Sequence, residues 1–291
     1  MIKVLITGKD SHIGNKMQTW IEEHNPNGIF TVTQLDVVTD EWKSFDFSTV
    51  DVIVHVAAIV HRPDLKDWTL YKRVNADLPY EIAIRAKNAG VKQFVFFSTM
   101  AVYGRGKTLN DAPITKDTIP QPKSMYGKSK FMAENKLLPL DCDTFKIAIV
   151  RPPNVYGENG TLSYVDSFAK MLKILPVIPD AYRNIKQSMI NIDNLNELIR
   201  LLILNSKSGV FMPQDGSAVS SMELMEAVCE AVGKKFRTSV FLGNIVKCFR
   251  FIPLVKKVYG GIAYSDELSK IDGVEYEVVT FKEGIKNSIN K

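Results

Sequence analysis

Three cysteines in 291 residues, Cys142, Cys229 and Cys248, are odd in number, widely spaced and not accompanied by clustered histidines. That excludes a disulfide framework and a zinc module, and the thiols read as reduced core residues. Long hydrophobic runs are also lacking. No apolar stretch reaches membrane-spanning length, and Ile2-Lys3-Val4-Leu5-Ile6 reads as a strand with no leader pattern, so a cytoplasmic protein without an integral membrane segment is expected. A large excess of either charge is lacking. The net +5 is modest and dispersed, without a long basic run or an RNA-binding repeat, so an anionic small molecule accounts for it and nucleic acid is not called for. With 45% hydrophobic and 24% charged residues, the chain is globular and long enough for one large domain and a smaller lobe.

What is present begins with phosphate chemistry. Lys3 to Ile6 suits a buried parallel strand, and Thr7-Gly8-Lys9-Asp10-Ser11-His12-Ile13-Gly14 leads into a helix through Trp20 and Ile21. Strand, glycine turn and helix form the setting in which a pyrophosphate binds, because exposed amides and the positive helix end face the anion. Gly8 permits the tight turn and Gly14 a close helix–strand contact, while Ser11 stands where a middle glycine is usual. A second strand from Phe30 to Leu35 ends at Asp36, placed to hydrogen-bond an adenosine ribose and to repel a 2′-phosphate. NAD is therefore expected rather than NADP. Asp46-Phe47 reads as the end of a third short strand meeting the adenine. Val52 to Val56 is a further buried strand, and the small residues of Val56-Ala57-Ala58 let a cofactor lie close.

The middle of the chain carries candidate acid/base groups. Tyr71 to Gly90 reads as a helix stopped by Gly90. Phe94 to Phe97 is the next buried strand, and Thr99 follows its carboxyl end, where ligands gather. Asn110 to Ser124 is a loop over the site. In Tyr126-Gly127-Lys128-Ser129-Lys130, helical spacing sets Tyr126 and Lys130 one turn apart. The ammonium can then sit beneath the phenol and favour its ionised form. A strand from Phe145 to Val150 ends in Arg151-Pro152-Pro153-Asn154-Val155-Tyr156-Gly157.

Taken in order, the Thr7–Gly14 loop, His55 to Ala58, Ser98-Thr99 with Val102-Tyr103-Gly104, Tyr126 to Lys130, Arg151 to Gly157 and Ser188 to Asn194 resemble the extended short-chain dehydrogenase/reductases. The branch is that of the nucleotide-sugar epimerases and dehydratases. The resemblance implies an α/β fold, a doubly wound parallel sheet with a smaller C-terminal lobe. It implies an NAD-binding part over residues 1–155 and 186–212 and a nucleotide-sugar part over 156–185 and 213–291. It further implies Thr99, Tyr126 and Lys130 as the catalytic set. Gly8, Ser11, His12, Ile13, Gly14, Asp36, Asp46, Phe47, Val56, Ala57, Ala58 and Pro153 would line the cofactor with Tyr126 and Lys130, and Met100 and Asn154 would touch a UDP-sugar with Thr99. A homodimer through the helices near 71–90 and 126–138, with Leu78, Ile82, Phe131 and Leu137, is implied as well.

Within that branch, dehydratases carry an Asp-Glu pair directly after the threonine, and Met100-Ala101 stands here, so dehydration is set aside. A 4-epimerase working through a 4-keto sugar is expected. A reductase of a UDP-4-keto-6-deoxy sugar is the alternative, and a non-catalytic dinucleotide sensor a minor one. Lys186-Gln187 occupies the place of an arginine that grips the diphosphate in many relatives. Finally, Leu242, Ile245, Val246, Phe249 and Ile252 fall at helical spacing with Lys247 and Arg250 nearby. Most such stripes pack against a core, as expected here, although a basic amphipathic segment at 241–257 can also rest on a membrane surface.

Overall fold

The computed structural model describes residues 1–60, 64–104, 109, 112–157 and 164–289; Asn110, at the start of the expected loop, lies outside them. The first half alternates strand and helix: β1 (Ile2–Thr7), α1 (His12–Glu23), β2 (Phe30–Leu35), β3 (Val52–His55), α2 (Trp68–Lys72), α3 (Leu78–Asn88), β4 (Gln93–Phe97), α4 (Met125–Leu137) and β5 (Lys146–Val150). Then come β6 (Asn154–Tyr156), α5 (Tyr164–Ile174), β7 (Ile178–Pro179), β8 (Lys186–Gln187), β9 (Met189–Asn191), α6 (Ile192–Leu204) and β10 (Gly209–Phe211). The chain closes with β11 (Val219–Ser220), α7 (Ser221–Ala231), β12 (Thr238–Ser239), α8 (Val240–Cys248), α9 (Pro253–Tyr259), α10 (Asp266–Ser269) and α11 (Phe281–Ile289).

The six-stranded sheet has the order β10-β5-β4-β3-β1-β2, and every pairing in it is parallel. It is a doubly wound fold, because the strands alternate their side chains between two apolar layers. Val4, Ile6, Val52, Val54, Val95 and Phe97 face α1 and α6, while Leu5, Ile53, Phe94, Phe96, Ile147 and Ile149 face α3 and α4. From β1 the chain steps outward to β2 and then crosses to the opposite side of β1 to lay down β3. That reversal leaves a crevice beyond the carboxyl ends of β1 and β3, where a doubly wound sheet binds its ligand.

Several expectations need correction. The strand ending at Asp46-Phe47 does not form; the segment makes 3₁₀ turns at Asp40–Ser44 and Phe47–Thr49. The Asp46 carboxylate accepts from Ser48 N at 3.0 Å and Ser48 Oγ at 2.7 Å, a local bonding pattern that competes with a sheet ladder. The helix expected over 71–90 is divided by a π-helical turn at Arg73–Asp77, in which Leu78 N–H donates to the Arg73 carbonyl just ahead of Pro79. The cysteines are free thiols but not all core residues: Cys229 is buried, Cys142 half-buried and Cys248 exposed. Of the apolar residues expected to reach a partner subunit, Ile82 and Leu137 are fully covered within one chain, in the layer shared by α3, α4 and the sheet. Leu78 and Phe131 remain half-buried.

The C-terminal lobe has its own apolar core, with Phe168 and Leu172 of α5, Met225 and Val228 of α7, Tyr259 of α9 and Ile285 of α11. A capping box of Ser220 and Glu223 opens α7. The stripe at 242–257 is two helices, not one, and it does not pack as a core face. Leu242, Ile245 and Phe249 are 36%, 41% and 46% exposed. The contact line is instead Gly243, where a Cβ would stand 1.9 Å from the Asp180 carbonyl oxygen, so the helix lies on that backbone and turns its larger apolar residues outward.

Candidate active site

At the crevice, Gly8 adopts φ +105°, and a Cβ there would come within 2.9 Å of Ala57 N. Only glycine lets the exits of β1 and β3 run this close. Ser11 caps α1, its Oγ accepting from Gly14 N at 3.1 Å, and a Cβ on Gly14 would stand 2.7 Å from that oxygen. The hydroxyl is thus committed to one helix amide, and the positive end of α1 remains for an anion. His12 and Ile13 form the first turn of α1, with Ile13 leaning on the sheet core. A cavity of about 810 Å³ opens here, lined by Gly8, Lys9, Ser11, Ala57, Ala58 and Ile59 and, from the other elements, by Val37, Val38, Trp42, Lys43 and Arg73. Its size, its small-residue wall and its helix end fit a dinucleotide.

Of the residues expected at the cofactor, Gly8, Ser11, Ala57 and Ala58 line this cavity, whereas His12, Ile13, Gly14, Asp36, Asp46, Phe47, Val56, Tyr126, Lys130 and Pro153 do not. Asp36 is exposed at the end of β2, its carboxylate accepting from Val38 N at 2.8 Å, while its neighbours Val37 and Val38 form the wall. Asp46 is held by Ser48 and Phe47 is buried in the core. Val56 also lies behind the wall, its Cγ2 3.0 Å from the position a Cβ on Gly8 would take.

The candidate acid/base pair is assembled by a second close approach. Ser124 caps α4, accepting from Gly127 N at 3.0 Å, and a Cβ on Gly127 would lie 2.6 Å from the Ala101 carbonyl oxygen. The start of α4 therefore rests on the turn that follows β4. There Thr99 accepts from Ala101 N at 3.1 Å. Burial pushes the Tyr126 pKa up to about 12, and the Thr99 hydroxyl pulls it the other way. Lys130 does not sit beneath the phenol. Its Nζ donates to the Phe97 carbonyl at 2.6 Å and stands 4.5 Å over the Phe96 ring. An ammonium buried to this degree needs an acceptor, and the last carbonyl of β4 is in reach. Burial also lowers the Lys130 pKa to about 7, so the amine can exchange a proton near neutrality.

Four supporting residues were given no role by sequence reasoning. Glu134, one turn beyond Lys130, is 1% exposed and accepts from Arg151 Nε at 3.0 Å and Nη2 at 2.6 Å, as well as from Ser98 Oγ. Arg151 Nη1 donates in turn to the Tyr103 hydroxyl at 2.7 Å. This pair ties α4 to the ends of β4 and β5. Asn75, buried in the π-helical turn, exchanges two 2.8 Å bonds with the Ile59 backbone and donates to Ser129 Oγ at 3.0 Å. It fastens the cofactor-cavity wall to α4. His55 bonds Thr7 Oγ1 through Nδ1 at 2.7 Å, and burial lowers its pKa to about 3. The available signals were the i, i+4 spacing of Lys130 and Glu134 and the cation terminating β5.

A second cavity, of about 340 Å³, adjoins Thr99. Its lining brings Thr99, Met100, Pro153 and Asn154 together with Gln187 and with Lys256 and Lys257 of α9. Asn154 is exposed into it. Lys186, in the place of the relatives' arginine, is instead paired with Glu223 at 2.5 Å and is not part of this lining. The lysines of α9 are the cations that sequence reasoning missed, because they lie far along the chain in a segment read as packing material.

The reversal point of the sheet, the glycine-lined cavity and the adjoining Thr99–Tyr126 pair define an enzyme of the dinucleotide-binding doubly wound class. The chain belongs to the NAD dependent epimerase/dehydratase family, whose model matches residues 4–192. It is 32% identical over 212 residues to a UDP-glucose 4-epimerase of Vibrio cholerae, a match spanning 71% of this chain and 64% of that protein's length. It is 26% identical over 294 residues to an N-acetyl-α-D-glucosaminyl-diphospho-ditrans,octacis-undecaprenol 4-epimerase of Escherichia coli O157:H7, across 94% of this chain and 82% of the relative. In fold it is similar to a dTDP-4-dehydrorhamnose reductase of Clostridium acetobutylicum, with TM-score 0.71, 19% identity and 99% of each chain covered.

Proposed function

We propose that this protein is an NAD-dependent 4-epimerase of a UDP-hexose or UDP-N-acetylhexosamine. Residues 1–155 and 186–212 would hold the cofactor, and 156–185 and 213–291 the sugar diphosphate. The observation that carries this reading is the pocket in which Thr99, whose hydroxyl acts on the Tyr126 phenol, stands together with Asn154, Lys256 and Lys257. The two lysines suit a diphosphate, and a sugar attached to it reaches toward Thr99 and Tyr126. Bound NAD supplies a hydride acceptor and donor. Once ionised, Tyr126 takes the proton of the C4 hydroxyl as a phenolate and later returns it, while Thr99 holds the same oxygen and orients it. Lys130, with its lowered pKa, can pass a proton to or from the site near neutral pH. Gly8, Ser11, Gly14, Ala57 and Ala58 would carry the cofactor, with Asp36 at its ribose if the carboxylate turns from Val38.

A lipid carrier is a second reading, supported by the Escherichia coli relative, whose name places the sugar diphosphate on undecaprenol. The shared chemistry is the sugar diphosphate. The deciding experiment incubates purified protein with UDP-hexoses, with polyprenyl-diphosphate hexosamine and with UDP-4-keto-6-deoxy sugars, each with catalytic NAD or with excess NADH or NADPH. Epimer formation with no net consumption of reduced cofactor supports the epimerase, and the substrate arm identifies the carrier. Stoichiometric oxidation of NADH or NADPH with a 4-keto sugar, and no epimer in any arm, would replace it with a reductase.

A further inference from the structure

Between Glu230 and Asp266 the sequence contains no carboxylate. Residues 231–265 carry seven lysines and arginines, more than the whole chain's net +5, so the charge is concentrated here and not dispersed. The same stretch gathers exposed apolar groups. Phe241, Phe249 and Phe251 are 74%, 46% and 69% exposed, and Leu254 is 66% exposed. No other phenylalanine among the described residues is exposed. Water-facing phenylalanines on a lone protein are unfavourable, and a patch of them points to a surface that covers them.

The segment is anchored, so its outward face is fixed by the fold. Ser239 caps α8 through Leu242 N, Gly243 lies on the Asp180 backbone, and Tyr259 of α9 donates to the Pro179 carbonyl at 2.9 Å. Val246, Val255 and Val258 lean on the lobe's core while the phenylalanines and Leu254 point away from it. Lys247, Arg250, Lys256 and Lys257 are exposed, and among the described residues none of them makes a salt bridge. Lys247 feels the Asp180 carboxylate, which is already paired with Arg183, and no carboxylate lies within the stretch itself, so aromatic groups beside an excess of cations complement a negatively charged apolar layer.

We propose that α8 and α9 seat this protein on an anionic lipid bilayer, with the phenylalanines and Leu254 entering the headgroup–acyl boundary and Lys247 and Arg250 meeting lipid phosphates. Leu254 and the pocket-lining Lys256 share one short helix, so docking places the sugar-diphosphate pocket beside the membrane surface. The docking is independent of which sugar the enzyme turns over, and vesicle binding therefore succeeds or fails separately from the proposed activity.

The test is co-sedimentation of the full chain with phosphatidylcholine vesicles, with and without added phosphatidylglycerol. Phe241→Ser/Phe251→Ser and Lys247→Glu/Arg250→Glu are measured alongside, and light scattering records the oligomeric state. Binding to the anionic vesicles, at least about tenfold weaker in each double variant and weakened on going from about 0.1 M to about 1 M salt, is the expected result. Equal binding to both vesicle types, wild-type binding by either variant, or no vesicle binding at all would overturn it. So would a wild-type dimer that Phe241→Ser/Phe251→Ser converts to monomer without any vesicle binding, since the face would then join two copies of the chain.

Discussion

α4 and the α8–α9 pair flank the reaction site and are built in opposite ways. On α4, Ser129, Lys130 and Glu134 are at most 1% exposed, and each has a hydrogen-bond partner in another element. On α8–α9 the cations, the phenylalanines and Leu254 face water, while Gly243, Val246, Val255, Val258 and Tyr259 meet the lobe. Buried polar groups are costly and hold one geometry, which is what proton transfer at Tyr126 requires. Exposed groups hold no geometry of their own and are available to something outside the chain. The chemistry is therefore written into the inner helix, and the encounter into the outer pair.

The contrast can be broken at its inner end. Tyr126→Phe keeps the volume of the side chain and removes the proton acceptor, so turnover should fall by roughly 10²–10⁴ with cofactor affinity unchanged. Steady-state rates and a cofactor titration check this, and unaltered turnover would remove Tyr126 from the reaction. Glu134→Gln leaves the Arg151 guanidinium buried without its anion, and should cost roughly 3–5 kcal/mol in denaturant unfolding. Lys186→Ala, which breaks a pair whose members are 39% and 46% exposed, should cost at most about 1 kcal/mol. Equal losses from the two changes would deny the difference between buried and exposed charge.

Lys130 gives the contrast a pH axis. Its folded pKa, about 7, lies below its ordinary value of 10.5, so the unfolded chain binds more protons between those two values. Its burial penalty is fully present below about pH 7 and is relieved as pH rises toward 10.5. Lys130→Met should therefore gain stability over the parent on the order of a few kcal/mol at pH 6, with the advantage shrinking toward pH 10. Thermal melts across that range measure it, and a pH-independent difference would place Lys130 in a less buried setting. The smallest effect is expected outside: Phe241→Ser should change the unfolding free energy by no more than about 0.5 kcal/mol, because the residue is 74% exposed.

Much of the inner half was legible in the sequence. The continuous apolar runs of β1, β3, β4 and β5 announce strands buried on both faces, and Gly8 and Gly14 mark the tight turn and the close helix–strand contact, whereas the approach of Gly127 to Ala101 was not legible. The strand expected at Asp46-Phe47 failed because short polar side chains satisfied the backbone locally. The place of Lys130 Nζ was not legible, since helical spacing gives a shared face but not which carbonyl across the helix–sheet interface wins the ammonium. Nor was the Glu134–Arg151 pair, whose members meet only after β5 is paired with β4. On α8, periodicity showed a stripe, and Gly243 decided that the stripe faces outward.

The central claim is that Tyr126 and Thr99 serve a hydride that leaves and returns to the same sugar carbon. A UDP-hexose deuterated at C4, incubated with the enzyme, catalytic NAD and an excess of unlabelled NADH, tests it in one mass-spectrometric measurement. The account predicts that the C4 epimer forms with its deuterium retained. Loss of the label from the epimer to solvent, or its replacement by hydrogen from the added NADH, would contradict it.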